Sequence, residues 1–268
     1  MNLPASSSLT PRASPIAPNL RNAFGGIWRL TFRRFLAPSQ WTIPAILLGV
    51  LVLIAFATVR EGNAQLYFRW TSQFYLTFLV PILAFLSGAG AIRDEMKPAT
   101  VDYVLTRPVR RPVFVAFKFL SHLACLQVGF LLALGAVLAV GVYRHIPSLF
   151  AALPWLLLGQ AVAVTAFSAL GLLCGALTSR YLVVGLFYAG IVESAIGRVP
   201  TQLNRLSMTH QLRTLLEQVL PGFNPALPPT QSPLAIISLL LIFSAAMLAV
   251  AALYFAFQEL AGARTNET

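Results

Sequence analysis

Charged side chains are concentrated in one short segment, residues 92–111. It holds three of the eight acidic residues of the chain and five of the nineteen basic ones. Elsewhere the sequence is apolar: 57% of the 268 residues are hydrophobic, only 10% are charged, and the mean hydropathy is +0.76. Closely spaced carboxylates and cationic groups can form ion pairs, and the cost of desolvation keeps them at an aqueous surface. The segment is therefore predicted to meet a soluble partner.

Residue patterns of the common enzyme classes are absent from the sequence. It has no G-x-x-x-x-G-K-[ST] loop for nucleotide phosphates, no H-E-x-x-H zinc motif and no G-x-S-x-G nucleophile turn. His122, His145 and His210 are far apart in the chain, and each is predicted to be a surface or interface residue. Cys125 and Cys174 fall inside apolar stretches and are predicted to be buried, with neither a disulfide nor a metal. Without a phosphate-binding loop, the chain is not expected to hydrolyse ATP itself.

One acidic residue, Glu193, lies inside an apolar stretch. A carboxylate within a membrane helix costs about 2–3 kcal/mol even on lenient scales, so such residues usually face a cavity or a partner. Two interpretations follow. Glu193 is either a pathway or outer-gate residue, or it lies near the outer end of a short span and reaches water or Arg198.

Six apolar stretches are long enough to cross the hydrocarbon core of a bilayer, roughly 30 Å thick, as α-helices. The predicted fold is all-α, a polytopic membrane protein with six transmembrane helices at 41–59, 74–92, 119–142, 154–178, 181–197 and 233–257. The fifth is the shortest and reaches only about 25 Å. Small residues recur in the fourth span and predict close approach by neighbouring helices: Gly159, Ala161, Ala163, Ala166, Ala169, Gly171 and Gly175.

The basic residues predict the orientation in the membrane. With the N-terminus in the cytoplasm, the inner segments hold thirteen of the nineteen Lys and Arg residues and the outer segments hold six. The positive-inside rule therefore places both termini in the cytoplasm. Membrane orientation and anionic headgroups explain the net charge of +11, so no nucleic-acid partner is expected. The other predicted segments are a disordered tail (1–19), an interfacial amphipathic helix (20–40), a charged inner loop (93–118), an outer segment (198–232) and a cytoplasmic tail (258–268).

Two further amphipathic helices are predicted outside the spans. In the charged loop, Pro98 suits the first turn of a helix and Pro108 stops it, so a helix from Pro98 to Thr106 is expected along the membrane surface. In the outer segment, apolar residues recur with helical spacing before Pro221-Gly222 ends the run: Leu212, Leu215, Leu216, Val219 and Leu220.

These residues, in this order, resemble a known family. The first pattern reads Asp94-Glu95, Ala99-Thr100, Tyr103-Val104-Leu105, Pro108-Val109-Arg110-Arg111 and Phe117-Lys118. The second is Tyr188 to Glu193, followed by Leu206-Ser207 and an amphipathic helix. With six spans and cytoplasmic ends, they are similar to the membrane subunit of ABC transporters of the type-2 exporter (ABC-2) family. Two positions depart from its pattern: Ala99 and Phe117 stand where Gly is usual.

The resemblance implies an ATP-driven exporter. Two permease copies, identical or paralogous, would surround a central path in the plasma membrane. The expected source is a bacterium. The cofactors, ATP and Mg, would be bound by separate ABC ATPase subunits and not by this chain. The helix from Pro98 to Thr106 would be the coupling helix. The resemblance assigns ATPase docking to Asp94, Glu95, Thr100, Tyr103, Leu105, Arg107, Pro108 and Arg111.

Two other functions fit a multi-pass membrane protein. An ATP-independent carrier or channel would need inverted repeats or several polar residues within the spans, where Glu193 is the chief ionisable group. An intramembrane enzyme would need catalytic groups gathered at one depth, which the sequence does not indicate. A phosphate-binding loop in the product of a neighbouring gene would favour the ABC exporter over both.

Overall fold

The computed structural model describes residues 20–94, 111–189, 191, 193, 207–220 and 231–264, and the regular structure in these ranges is helical. A π-helix, Thr71–Leu79, joins α3 to α4 in one continuous rod. The α-helices are α1 (Leu20–Phe35), α2 (Pro38–Thr58), α3 (Ala64–Trp70), α4 (Val80–Arg93), α5 (Arg111–Tyr143), α6 (Leu149–Leu177), α7 (Tyr181–Tyr188), α8 (Met208–Val219) and α9 (Pro233–Arg264). The predicted tail 1–19, the predicted coupling helix and most of the outer segment 198–232 lie outside the described residues.

Four helices are long and apolar enough to cross a membrane: Ala64–Arg93, Pro112–Tyr143, Leu149–Leu177 and Pro233–Phe255. They correspond to predicted spans two, three, four and six. Predicted span one corresponds to α2, whose 21 residues extend over roughly 30 Å, although its apolar part, Thr42–Thr58, is shorter. Predicted span five corresponds to α7, which continues in π-helical turns at Ala189, Ile191 and Glu193. The part of the chain that the structure describes is thus all-helical, with the long apolar helices of a multi-pass membrane protein.

Several boundaries differ from the prediction. The helices of spans three and four begin at Arg111 and Leu149 rather than at residues 119 and 154. Span two begins at Ala64 rather than at residue 74, because the Asn63 side chain caps the helix by accepting a hydrogen bond from the Leu66 amide (2.9 Å). Tyr67 and Phe68 in its first turns are fully buried, and their burial stabilises helix where the polar residues nearby suggested a loop. The amphipathic helix ends at Phe35 instead of residue 40, since Pro38 already opens α2.

The predicted close packing on span four is confirmed. A β-carbon added to Gly88 of α4 would overlap the backbone of Ser168 in α6, and one added to Gly171 of α6 would overlap the backbone of Phe85. At Gly175, an added β-carbon would lie 2.7 Å from the Ala89 carbonyl oxygen. The two helices therefore touch backbone to backbone, and among the described helices they form the most closely packed pair.

The alternating directions of the helices give the bundle two ends. One, called here the Asp94 end, contains the last residues of α1 and α4. The other, called the Glu193 end, contains the α2–α3 and α5–α6 turns, and span five runs towards it up to Glu193. At that end the Gly62 amide, with φ of +68°, donates to the Arg144 carbonyl (2.9 Å) and links the two turns.

Candidate functional sites at the two ends of the bundle

At the Asp94 end, an ion pair ties α1 to span two. Arg34 Nη2 lies 2.5 Å from Asp94 Oδ2, and the two side chains remain 55% and 31% exposed. Helix α1 also packs on α5, where the rings of Phe24 and Phe117 meet edge to face at 5.1 Å. Asp94 is the residue at which the predicted docking segment starts. The amphipathic helix and the start of that segment are therefore held together.

For the other predicted docking residues, the structure describes only the backbone position of Arg111. Six of them lie outside the described residues: Glu95, Thr100, Tyr103, Leu105, Arg107 and Pro108. Arg111 opens α5. Their roles stay predictions.

A half-buried polar pair lies between span two and span three near this end. Ser87 Oγ and His122 Nε2 are 3.1 Å apart, and Lys118, one turn before His122, is 9% exposed. His122 is thus an interface residue, as the sequence predicted. Cys125 and Cys174 are buried and form no disulfide. Within the described ranges, no group of three or more His, Cys, Asp or Glu side chains could hold a metal ion.

Beyond the last turn of α7, towards the opposite end, Glu193 holds the start of α8. Its Oε2 accepts hydrogen bonds from Ser207 Oγ (2.5 Å) and the Thr209 amide (3.0 Å), and its Oε1 accepts one from the Met208 amide (3.2 Å). We call these three bonds the Glu193 cap. They satisfy donors that a helix N-terminus leaves unpaired, and the positive end of the helix dipole favours the carboxylate. The alternative contact with Arg198 involves a residue outside the described ranges.

Ser207 is itself the N-cap residue of α8. While its hydroxyl donates to Glu193, its oxygen accepts a hydrogen bond from the His210 amide (3.0 Å), the usual geometry of a helix N-cap. Ser207 itself is fully buried. Burial lowers the pKa of His210, and nearby Arg213 lowers it further, whereas Glu217 and Glu193 raise it.

Helix α8 inserts its apolar face into the bundle, as its predicted pattern requires. Met208, Leu212, Leu215 and Leu216 are each at most 2% exposed, and the helix packs against the π-helix, α6 and α9. Leu216 reaches Gly159, where an added β-carbon would lie 3.0 Å from its side chain. Gly159 is about ten residues inside α6, so α8 reaches roughly 15 Å into the bundle.

Polar side chains, buried at Tyr75 and Gln160 and half-buried at Gln127, connect spans two, three and four. The Tyr75 hydroxyl donates to Gln160 Oε1 (2.6 Å) and lies 3.2 Å from the Phe130 carbonyl oxygen. Gln127 Nε2 donates to the Ala161 carbonyl (3.0 Å). Tyr75, Gln127 and Gln160 were not predicted from the sequence. The two glutamines could have been, because an amide inside an apolar stretch indicates a buried polar contact: a buried amide needs a partner.

Four helices are long and apolar enough to cross a bilayer, and their polar side chains pair inside the bundle. These features define a polytopic helical membrane protein. The particular family is shown by comparison: the chain belongs to the ABC-2 transporters, because the family model described as "ABC-2 family transporter protein" matches residues 17–260. Members of this family are membrane components of transporters, so the resemblance drawn from the charged loop and from Tyr188–Glu193 is confirmed. A comparison with curated proteins finds no significant match.

Proposed function

We propose that this chain is the permease subunit of an ATP-driven exporter, and that ATP and Mg are bound and ATP is hydrolysed on a separate ABC ATPase chain. The observation that carries the proposal is the family match, which spans nearly the whole transmembrane region. Family membership implies an ABC ATPase partner and a membrane environment. The sequence lacks a phosphate-binding loop of its own.

The docking surface for the ATPase is the segment that follows Asp94. Span two delivers this segment, and span two is the helix most tightly packed on span four through Gly88 and Gly171. A force applied just beyond Asp94 would therefore move α4 and α6 as one body, and α1 with them through Arg34. Contacts that differ between the two states of an ATPase can bias such a body between two arrangements. The proposed docking side chains are Asp94, Glu95, Thr100, Tyr103, Leu105, Arg107, Pro108 and Arg111.

The proposed transporter has a defined orientation in the membrane and contains two permease copies. The Asp94 end faces the cytoplasm, both termini lie there, and the membrane is the plasma membrane of a bacterial cell. A second permease copy completes the central path. Glu193 belongs to the outer gate, which its position at the base of α8 supports.

Copurification in detergent tests the proposal. The wild-type chain is expected to bring down a soluble protein that hydrolyses ATP, contains a phosphate-binding loop by mass spectrometry, and is present in a one-to-one ratio. Combined substitution of Thr100, Tyr103 and Leu105 by alanine should release it. Glu61→Gln, an exposed change at the Glu193 end, is the matched control and should retain it.

Two outcomes would contradict the proposal. An ATPase that stays bound to the triple variant would show that docking lies elsewhere. Transport by the purified chain without any ATPase would instead favour an ATP-independent carrier or channel.

A further inference from the structure

Span two changes its winding partway along its length. Residues Thr71–Leu79 are π-helical, whereas α3 before them and α4 after them are α-helical. Nine residues are long for this winding, which is rare, mostly limited to single turns and frequent at functional sites. The π-helix therefore divides span two into an α3 half and an α4 half.

Pro81 gives a physical reason for the π-helical winding. A proline inside an α-helix has no N–H to donate, and its ring clashes with the carbonyl group four residues earlier, here that of Thr77. A wider preceding turn relieves this clash. Accordingly, the Val80 amide donates to the Tyr75 carbonyl, five residues back instead of four. The usual ladder of helical hydrogen bonds is thus interrupted next to Pro81.

Thr77 supports the backbone of this segment through its side chain. Its hydroxyl lies 2.7 Å from the Ser72 carbonyl oxygen and 2.8 Å from that of Gln73. These two carbonyls are five and four residues back, which are the spacings of the π-helix and the α-helix. A carbonyl group released when the turn tightens or widens therefore keeps a donor within reach, as a backbone inside a membrane requires.

The two halves of span two are held by different neighbours. In the α3 half, the Tyr67 hydroxyl donates to the Val137 carbonyl of α5 (3.2 Å). The α4 half lies backbone to backbone on α6 through Gly88 and Gly171, whereas α3 makes few contacts with α6. The π-helix thus joins a half that follows α5 to a half that follows α6.

We propose that the segment from Thr71 to Pro81 is a hinge of span two, with Pro81 and Thr77 as its positioning residues. The α3 half bends there relative to the rigid pair formed by α4 and α6. This inference rests on the proposed function for one step, the use of the hinge during transport. The hinge itself rests on the winding and the contacts alone.

Exchange of backbone amide hydrogens in the purified chain, without an ATPase, tests whether the hinge exists. Four side chains of the π-helix are at most 3% exposed, so a rigid helix would exchange as slowly here as in α4: Thr71, Ser72, Tyr75 and Leu76. A hinge predicts faster exchange over residues 71–79 than over residues 82–93. Uniformly slow exchange along span two would overturn the proposal.

Two substitutions should change this exchange in opposite directions. Pro81→Ala removes the clash and restores a backbone donor, so exchange over residues 71–79 should slow by about tenfold, equivalent to about 1.4 kcal/mol. Thr77→Val removes the supporting hydroxyl and should speed it. Pro154→Ala is the matched control, since Pro154 lies inside α6, which is α-helical throughout. An unchanged rate in Pro81→Ala, or an equal change in α4, would overturn the proposal.

Spin labels in the complex with the ATPase test whether transport uses the hinge. After replacement of the two native cysteines by alanine, one pair of labels is placed at Arg69 and Leu234 and another at Phe150 and Leu234, all exposed positions. The first pair measures the α3 half against α9, and the second measures α6 against α9. A bend of about 20° at Pro81 would move Arg69, roughly 18 Å away along the helix, by about 6 Å.

Trapping the ATPase with ATP and vanadate should therefore shift the first distance by this amount and leave the second unchanged. No shift, or equal shifts in both pairs, would overturn the role of the hinge in transport. Failure of the exporter assignment would appear differently, as the absence of a copurifying ATPase while exchange over residues 71–79 still responds to Pro81→Ala.

Discussion

Gly88 in span two lies directly against the backbone of Ser168 in span four, so closely that a β-carbon on Gly88 would overlap the Ser168 carbonyl group. Contacts of this kind depend on the absence of a side chain, since membrane helices gain their packing energy from close approach rather than from burial away from water. This contact lies about one and a half turns before the end of α4 at Arg93, where the proposed ATPase-docking segment begins. It makes the inner part of span two a rigid partner of span four.

Gly88→Ala should destabilise the protein, because the added methyl group forces the two backbones apart. Overpacking typically costs about 1–3 kcal/mol, and a backbone obstacle places this site at the upper part of that range. The loss is measured as a lower midpoint of thermal unfolding in detergent. Gly90→Ala is the matched control, since nothing lies within 4 Å of a β-carbon there. Equal effects of the two substitutions would contradict the backbone contact.

Tyr75→Phe should destabilise the bundle by leaving the buried Gln160 Oε1 without the hydroxyl that donates to it. The expected cost is about 1–3 kcal/mol, the usual penalty for an unsatisfied buried polar group. The double variant Tyr75→Phe with Gln160→Leu removes both polar groups and should recover much of the loss. The free energy of unfolding is measured for all four proteins of the cycle. If the free-energy losses of the two single variants simply add in the double variant, the 2.6 Å hydrogen bond between Tyr75 and Gln160 does not contribute to stability.

Arg34→Gln should loosen α1 without disturbing the core. The ion pair with Asp94 is partly exposed, and pairs of this kind contribute about 0.2–1 kcal/mol. Amide hydrogen exchange across residues 20–35 should therefore rise by up to about fivefold, with no change in α6. Arg33→Gln, an exposed neighbour on the same helix, serves as control. Combining Arg34→Asp with Asp94→Arg should restore protection, and failure to do so would mean that another contact holds α1.

Accessibility in whole cells should report which end of the bundle faces outwards. With the native cysteines replaced, Glu61→Cys at the Glu193 end should react with a maleimide that cannot cross the membrane, and Ser179→Cys at the Asp94 end should not. Both positions are exposed in the structure, so a difference reflects sidedness rather than burial. The reverse pattern would place the docking segment outside the cell and contradict the exporter proposal.

Much of the fold could be predicted from sequence because the controlling signals are local. Apolar stretches of sufficient length indicated the helices, and the recurrence of small residues marked α6 as the helix that others approach closely. The helical spacing of Leu212, Leu215 and Leu216 indicated which face of α8 is buried. Boundaries were less accurate: span two starts earlier than its hydropathy indicates, since Asn63 caps it and buried Tyr67 extends it.

The sequence by itself determined that this chain is a helical membrane protein with a charged segment after span two, because composition and periodicity fix both. Only the tertiary structure decided how the polar groups pair. Arg34 pairs with Asp94, 60 positions along the chain, and Tyr75 bonds to Gln160, 85 positions along. Glu193 accepts hydrogen bonds from the start of α8 rather than lying unpaired among apolar residues. A polar group within a bilayer must find a partner, but which partner it finds depends on which helix faces meet, and no local pattern records that.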